Sequence, residues 1–156
     1  MPDLLVSLLK LPTLESTLRG MESAGILIRR PQPFEITQVL SFVEKNFSQA
    51  WADEISVGFA SKPVSVYVAV VDQAIVGFAA YECTRRNFFG PTGVTEHMRG
   101  RGVGKALVVA SLWGLRELGY VYGIIAGVGP VAFYEKTVAA IVIPDSDPGI
   151  YTNLLK

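Results

Sequence analysis

Residues 99–106 read RGRGVGKA, and this glycine-rich stretch decides how the chain around it is interpreted. Glycines occupy every second position from 100 to 104, and the pattern is typical of a turn between a strand and a helix. Such a turn exposes several backbone N–H groups in one direction, and the helix predicted from Val103 adds its positive end. A helix dipole contributes about 0.3–1 kcal/mol to the binding of an anion. The stretch predicts a phosphate-binding loop, with a simple flexible helix cap as the alternative.

Two familiar nucleotide-binding patterns fail at this loop. An ATP-type loop would place its glycine and lysine at Gly104 and Lys105, but it requires glycine at position 99 and a hydroxyl at position 106. The chain has Arg99 and Ala106 there. A dinucleotide fingerprint beginning at Gly100 would need glycine where Lys105 stands, and no suitable acidic residue follows about 20 residues later. The phosphate therefore belongs to another kind of ligand.

Hydrophobic periodicity and turn residues predict the elements on either side of the loop. Upstream, we expect one or two short helices in 1–24, a strand over 25–30, helices over 33–47 and about 51–59, and strands over 64–71, 74–83 and 88–95. Downstream, we expect a helix over 103–118, a strand over 120–126, a helix over 130–137, a strand over 139–143 and an irregular tail. Within that tail, residues 149–151 are the only candidate for a last strand.

This order of elements predicts a mixed α+β fold, a mostly antiparallel sheet with helices on both faces. The strands on either side of the 103–118 helix should run parallel, because a helical crossover joins them. We divide the chain into an N-terminal helical extension (1–24), a catalytic or binding domain (25–143) and a C-terminal tail (144–156).

Composition excludes several classes of function. The chain has 14 basic and 14 acidic residues among 156, so nothing indicates the basic excess of a nucleic-acid binder. It has one cysteine and one histidine, which leaves no metal site and no intrachain disulfide and favours a reducing, cytoplasmic location. No apolar run is long enough to span a membrane. The mean hydropathy of +0.37 is high for one domain and predicts a homodimer.

The loop fits the pattern [R/Q]-x-x-G-x-[G/A] through Arg99, Gly102 and Gly104, and the sequence FYEK follows at 133–136 after the next predicted strand. Together these features resemble the coenzyme A loop and a later helix of the GNAT superfamily, the GCN5-related N-acetyltransferases. The resemblance covers about residues 26–143, and it implies that the 25–143 domain is a GNAT acetyltransferase domain. It implies the GNAT fold, with a splayed pair of strands that receives coenzyme A, with acetyl-CoA as acyl donor and without a metal.

The resemblance also implies where the donor lies. Its pyrophosphate would sit on the amides of the loop, which are those of Arg99, Gly100, Arg101, Gly102, Val103, Gly104 and Lys105. Its pantetheine arm would run along the strand edge formed by Gly93, Val94 and Thr95. The N–H of Val94 would then meet the acetyl carbonyl, where a single well-aimed donor stabilises developing negative charge.

Tyr134 matches the tyrosine that stands near the sulfur in this superfamily. A hydroxyl there is expected to donate a hydrogen bond or a proton to the departing thiolate. Taken without the resemblance, Tyr134 reads as a tyrosine packed on a helix face with its hydroxyl in water.

The chain departs from the superfamily pattern in three places. Gly127 stands where many relatives place an asparagine that contacts the coenzyme, and Glu96 replaces the usual proline after the fourth strand. The C-terminal pair of strands is also short, since only residues 149–151 remain as a candidate. The departure at Gly127 predicts a different entry to the last helix, where the contact with the coenzyme is lost or backbone groups replace it.

The acceptor amine is protonated at neutral pH and must lose a proton before it attacks. Glu82, Glu54 and Glu96 are the candidate bases, and a chain of water molecules is the alternative to all three. Glu82 ends an apolar row of one strand, and Glu54 lies about one helical turn from Trp51. Cys83 is expected to fill the core, and His97 to be solvated.

Three hypotheses follow from these residues. The first is an N-acetyltransferase that transfers the acetyl group of acetyl-CoA directly to a primary amine, with a small molecule as the expected acceptor. The second is a GNAT-like module that binds acetyl-CoA without catalysis. The third is an unrelated α/β domain in which the glycines cap a helix.

Overall fold

The computed structural model describes all of residues 1–156 and contains one seven-stranded mixed sheet. The strands, in chain order, are β1 Leu4–Ser7, β2 Leu27–Arg29, β3 Val66–Val71, β4 Ala74–Tyr81, β5 Phe88–Val94, β6 Tyr122–Ile125 and β7 Ile141–Val142. The helices are α1 Leu14–Ser23, α2 Ile36–Asn46, α3 Gln49–Ser56, α4 Val103–Glu117 and α5 Val131–Val138. Single 3-10 turns lie at Leu8–Lys10, Pro33–Glu35, Val57–Ala60 and Glu96–Met98.

The sheet order is β2-β3-β4-β5-β6-β1-β7, and β5 with β6 is its only parallel pair. The predicted mixed α+β fold is therefore confirmed, as is the parallel pair that flanks the long helix. None of the helices is both long enough and apolar enough to cross a membrane.

Alternate residues of the central strands point into two separate cores. Val66, Val68 and Phe78 pack with α2 and α3 in a cluster of 10 buried residues. Tyr67, Ala69 and their same-face neighbours pack with α4 in a cluster of 25. The two-residue period of the strands thus places helices on both faces of the sheet.

Helix α4 carries the larger core and positions the glycine loop at its own beginning. Ten of its fifteen residues are buried, so the helix lies deep against the sheet. Gly114 permits this close approach, because a Cβ there would meet the Tyr81 ring at 2.3 Å. The depth of the helix fixes where the glycine loop opens.

The N-terminal residues correct one prediction. Short helices were expected throughout 1–24, but Leu4–Ser7 form strand β1, which lies antiparallel between β6 and β7. Leu4 and Val6 are buried and Leu5 and Ser7 are half-buried, which is a strand period rather than a helical one. Only Leu14–Ser23 form an α-helix there.

The C-terminal tail corrects a second prediction. Residues 149–151 form no strand, and β7 covers only two residues. β1 occupies the sheet position beside β6, and β7 pairs with the far edge of β1. An N-terminal strand therefore lies between β6 and the last strand of the chain.

Candidate functional site

A cleft opens where β5 and β6 separate. The two strands pair only at Phe88 with Ile124 and Phe89 with Ile125. Beyond that point the register of β5 with β4 shifts. Ala79 pairs with Thr92 and Tyr81 with Phe89, so an advance of two residues on β4 corresponds to three residues on β5. This bulge bends β5 away from β6. A cavity of about 770 Å³ fills the gap, walled by both strands, α4, α5 and the α2–α3 aromatic side chains.

The open edge of β5 presents free backbone groups to this cavity. Thr95 donates its N–H to the carbonyl of Val76 on β4 at 2.9 Å. In an antiparallel pair the bonding direction alternates between residues, so Val94 and Thr92 point their N–H groups to the other edge. Val94 and Gly93 both line the cavity, and Thr95 lies just beyond it. The edge therefore offers donors to an extended ligand.

The glycine loop forms one end of the cleft. Gly100 and Gly102 have φ of +77° and +83°, conformations that favour glycine, and Gly102 precedes the first residue of α4. The Arg99 side chain folds back and donates from Nε to the Val94 carbonyl at 3.2 Å. A recess of about 210 Å³ lies against the loop, between Met98, Arg99, Lys105 and Phe133.

Gly104 lies in the first turn of α4 and faces both the main cavity and this recess. A Cβ at Gly104 would meet only ordinary contacts, 3.8 Å to Phe133 and to Val94. Packing within the protein therefore does not require a glycine at this position. A ligand that approaches the backbone closely does require a small residue there. The residues of the loop are therefore suited to binding a phosphate group.

The loop side chains divide by exposure. Val103 is buried and contributes only its backbone to the loop surface, whereas Arg99, Arg101 and Lys105 are exposed. These three cationic side chains and the positive N-terminal end of α4 make this end of the cleft electropositive.

Tyr134 lies on α5 and lines the middle of the cavity. It is 6% exposed, and its ring contacts Phe89 and Phe133 edge-on at centroid distances of 6.2 and 5.0 Å. No hydrogen bond joins its hydroxyl to the protein, and burial raises its pKa to about 12. A buried tyrosine without a protein partner offers its O–H to whatever fills the cavity.

Glu82 lies outside the cavity lining, at the closed end of the β5–β6 wedge. Its carboxylate accepts from the Asn87 N–H at 2.7 Å and from the Tyr120 hydroxyl at 2.6 Å. Strand β4 ends at Tyr81, and Glu82 has φ of +60°, so it does not continue the apolar row as expected. Its contacts tie together the segments that lead into β5 and β6, and it is remote from the Val94 edge.

Glu54 lies in a second recess of about 210 Å³, together with Trp51, Thr84 and Tyr151. The Thr84 hydroxyl donates to Oε1 of Glu54. This recess shares part of its lining with the main cavity, including Phe89, Gly90 and Pro91. Of the three candidate carboxylates, only Glu54 reaches the cleft system.

The other candidates lie elsewhere. Glu96 and His97 are exposed in the turn before the loop and line none of the three cavities. Cys83 is half-buried beside Ser65, and burial raises the pKa of its thiol to about 11. A thiol so hard to ionise is a poor nucleophile.

Gly127 shows how the departure at its position is accommodated. Its N–H donates to the Asp3 carboxylate at 2.8 Å, and a Cβ there would meet the Tyr151 ring at 2.7 Å. Residues from both ends of the chain therefore pack on this turn. No local sequence signal connects Asp3 or Tyr151 with Gly127, because the contact with Asp3 spans 124 positions.

The aromatic wall of the cleft was also not identified from the sequence as a unit. Phe47 and Trp51 stack with ring centroids 5.7 Å apart, and Phe47 also contacts Phe78 at 5.4 Å. Their helical spacing of four residues is the signal that places both on one side.

No family model matches the chain, and no curated protein is similar to it in sequence. Solved structures are similar in fold. The glucosamine N-acetyltransferase region of a fungal multi-domain GH3 β-N-acetylglucosaminidase aligns with a TM-score of 0.72 at 17% identity, over 91% of this chain and 19% of that one. A GCN5-related N-acetyltransferase from Sphaerobacter thermophilus aligns with a TM-score of 0.69 at 20% identity, over 91% and 48%.

A third structure is comparable to this chain in length. A GNAT family acetyltransferase from Brucella melitensis, in complex with acetyl-CoA, aligns with a TM-score of 0.57 at 19% identity, over 76% of this chain and 86% of that one. This chain spans less than half of the first two structures. The chain has the GNAT fold, as the sequence motifs predicted.

Proposed function

We propose that this protein is an acetyl-CoA-dependent N-acetyltransferase that acts on a primary amine of a small molecule by direct transfer. One observation carries the proposal. A single cleft joins a cationic glycine loop, the outward edge of β5 at Val94 and the unpartnered hydroxyl of Tyr134. An anion site, an oxyanion donor and a thiolate partner are the groups that transfer from a coenzyme A thioester requires.

The donor is proposed to bind along the cleft from the loop inward. The amides of residues 99–105 and the start of α4 hold the pyrophosphate, and Arg101 and Lys105 add cationic side chains. The edge of β5 at residues 93–95 holds the pantetheine arm as an added strand would be held. The Brucella neighbour, which was solved with acetyl-CoA, supports this choice of donor.

In the proposed transfer, the neutral amine forms a bond to the acetyl carbon and negative charge develops on the acetyl oxygen. The Val94 N–H donates to that oxygen. The carbon–sulfur bond then breaks, and the sulfur leaves with the electron pair. One proton of the acceptor ammonium passes to Glu54 or to water before the attack, and the nitrogen loses a second proton to solvent as the amide forms.

Tyr134 stabilises the leaving sulfur as a hydrogen-bond donor. Burial raises its pKa to about 12, and the pKa of a thiol is about 8.5, so complete proton transfer to sulfur is unfavourable. The phenol therefore keeps its proton, and the released thiolate takes a proton from solvent.

A non-catalytic acetyl-CoA-binding module is the second candidate. Two observations favour it: the Gly127 N–H is already bound by Asp3, and Glu82 is held by Asn87 and Tyr120 outside the cleft. The first leaves no free N–H at the position where many relatives place an asparagine, and the second removes Glu82 as a general base.

Thiol release from acetyl-CoA, measured over a panel of primary amines, separates the candidates. Amine-dependent release that Tyr134→Phe lowers at least tenfold, with unchanged acetyl-CoA affinity, supports the acetyltransferase. Acetyl-CoA binding without release for any amine supports the binding module. Absence of binding at millimolar acetyl-CoA contradicts both.

The homodimer expected from the hydropathy remains a proposal. Tyr122 and Ile141 are 53% and 61% exposed, and they provide apolar surface at the β6-β1-β7 side of the sheet. Sedimentation at micromolar concentration tests it, because a species of 16.9 kDa would contradict a dimer.

A further inference from the structure

The Glu54 recess forms the end of the cleft that lies away from the glycine loop. The loop recess shares Val94, Arg99 and Gly104 with the main cavity. The Glu54 recess instead shares Phe89, Gly90 and Pro91 with it. At about 3.3 Å per strand residue, Val94 and Gly90 lie roughly 13 Å apart along β5. The cleft system thus has two ends, the loop recess and the Glu54 recess. The Val94 edge and Tyr134 lie in the main cavity between them, accessible to a ligand from either end.

Charge is distributed unequally between these ends. Arg99 and Lys105 are the only charged side chains that line the main cavity and the loop recess. Glu54 is the only charged side chain that lines the other recess. A ligand that is anionic at one end and cationic at the other matches this arrangement.

Glu54 has capacity for a further partner. Its Oε1 accepts from Thr84, but its carboxylate forms no ion pair, and no protein group donates to Oε2. A partly buried carboxylate without a cationic partner gains strongly from a charge-assisted hydrogen bond.

The walls around Glu54 are apolar and aromatic. Trp51 stacks on Phe47, and Phe89, Pro91 and Tyr151 also line the recess. Met1 lines it as well, and its ammonium group is paired with Asp147 at 2.8 Å. Aromatic faces attract cations and cover apolar groups. A volume of about 210 Å³ holds roughly seven water-sized groups, which is room for a small organic body.

From this arrangement we propose that the Glu54 recess binds the acceptor as a small monocationic primary amine with an apolar or aromatic body. Glu54 holds the ammonium group, and Trp51 and Tyr151 cover the body. With one carboxylate, the recess favours a single positive charge over a polyamine. The inference rests on the proposed function and names the acceptor class for the same cleft.

The proposal also gives Glu54 a place in the transfer. The ammonium proton passes to the Glu54 carboxylate, the neutral nitrogen forms its bond to the acetyl carbon, and the carbon–sulfur bond breaks. The nitrogen is positively charged after the attack and gives up a second proton, which the leaving sulfur takes up by way of solvent. The products are a neutral amide, the coenzyme thiol and a protonated Glu54, which returns its proton to solvent.

The test compares two primary amines that differ mainly in charge. Benzylamine is protonated at pH 7 and aniline is not, and both carry one phenyl ring. Their binding is measured by calorimetry in the presence of saturating coenzyme A, so the readout does not require turnover. We expect the wild-type protein to bind benzylamine at least tenfold more tightly than aniline.

Glu54→Gln should weaken benzylamine binding at least tenfold and aniline binding less than threefold, since the glutamine keeps the shape and can still accept from Thr84. Asp53→Asn is the matched control. Asp53 is the adjacent carboxylate on α3, it is exposed, and it accepts a hydrogen bond from Gln49. This control should leave both affinities unchanged.

Several results would overturn the proposal: equal affinities for the two amines in the wild type, equal losses for both in Glu54→Gln, an equal effect of Asp53→Asn, or preference for spermidine. A failure of the proposed function is distinguishable from these. It would appear as no binding of coenzyme A, or as tight benzylamine binding that never leads to thiol release from acetyl-CoA.

Discussion

Replacement of Gly104 should separate the stability of the protein from its affinity for acetyl-CoA. A Cβ at this position has 3.8 Å contacts only, so the protein itself has room for a side chain. Gly104 is in the first turn of α4, where glycine is less favourable than alanine by up to about 1 kcal/mol. Valine is intermediate, so Gly104→Val should unfold no more easily than the wild type.

The effect on affinity should have the opposite sign. The valine methyl groups would fill the recess beside the loop and keep a phosphate from the backbone N–H groups. A hydrogen bond to a charged group contributes about 1.5–3 kcal/mol, and each 1.4 kcal/mol is tenfold in affinity. Loss of one such bond predicts an acetyl-CoA Kd that is about 10- to 150-fold weaker.

Gly104→Ala is the matched control, because the motif accepts glycine or alanine at this position. It should gain stability and keep most of its affinity. Urea unfolding gives the stabilities of all three proteins, and calorimetric titration with acetyl-CoA gives the affinities. An unchanged Kd in Gly104→Val would refute the placement of the pyrophosphate on this loop. A large loss of stability would refute the argument that packing does not require the glycine.

Three further predictions concern stability. Burial raises the pKa of Tyr134 to about 12, so the native state holds the phenol proton more tightly than the unfolded state does. The resulting stability is present below pH 10 and is lost as the pH rises to 12. In urea titrations over that range, Tyr134→Phe should lose less stability than the wild type. Gly93→Ala should lower the free energy of unfolding by about 1–3 kcal/mol, because the new Cβ would meet the Phe47 ring at 2.5 Å. An unchanged urea midpoint would contradict this prediction. The side-chain hydrogen bond from Arg29 holds the pKa of Glu35 at about 2. The stability of that partly exposed pair, no more than about 1 kcal/mol, is therefore lost as the pH falls from about 4.5 to 2. Glu35→Gln should lose less stability than the wild type over this range, and an equal loss in urea titrations would contradict this.

The sequence predicts those parts of the fold whose signals are local. Gly100 and Gly102 have positive φ and form the turn between the neighbouring strand and helix, so the signal for this turn lies within a short stretch of sequence. The two-residue and 3.6-residue periods then identify the elements on both sides. For this reason the long helix, the parallel pair of strands and the overall sheet were predictable.

Other features depend on contacts between distant parts of the chain. Strand β1 is only four residues long, too short for its alternation to be distinguished from a leucine-rich helix, and its partners lie more than 110 positions away. The positive φ of Glu82 and its bond to Tyr120 depend on how two turns meet. Periodicity within one strand does not contain that information.

The candidate site divides in the same way. The residues of the glycine loop and Tyr134 follow from motifs, and Glu54 follows from its spacing to Trp51. The partners that shape the acceptor end, Thr84 and Tyr151, come from segments 30 and 97 positions after Glu54. Only the folded chain brings them together.

The most direct test of direct transfer measures both products and the protein in a single reaction. With benzylamine and acetyl-CoA, we expect thiol and acetylated amine to form in equal amounts. Intact-mass spectrometry should detect no acetylated protein at any time in the reaction. An acetylated protein that precedes the acetylated amine would contradict direct transfer. Thiol release that does not depend on the amine would contradict the proposed acceptor chemistry.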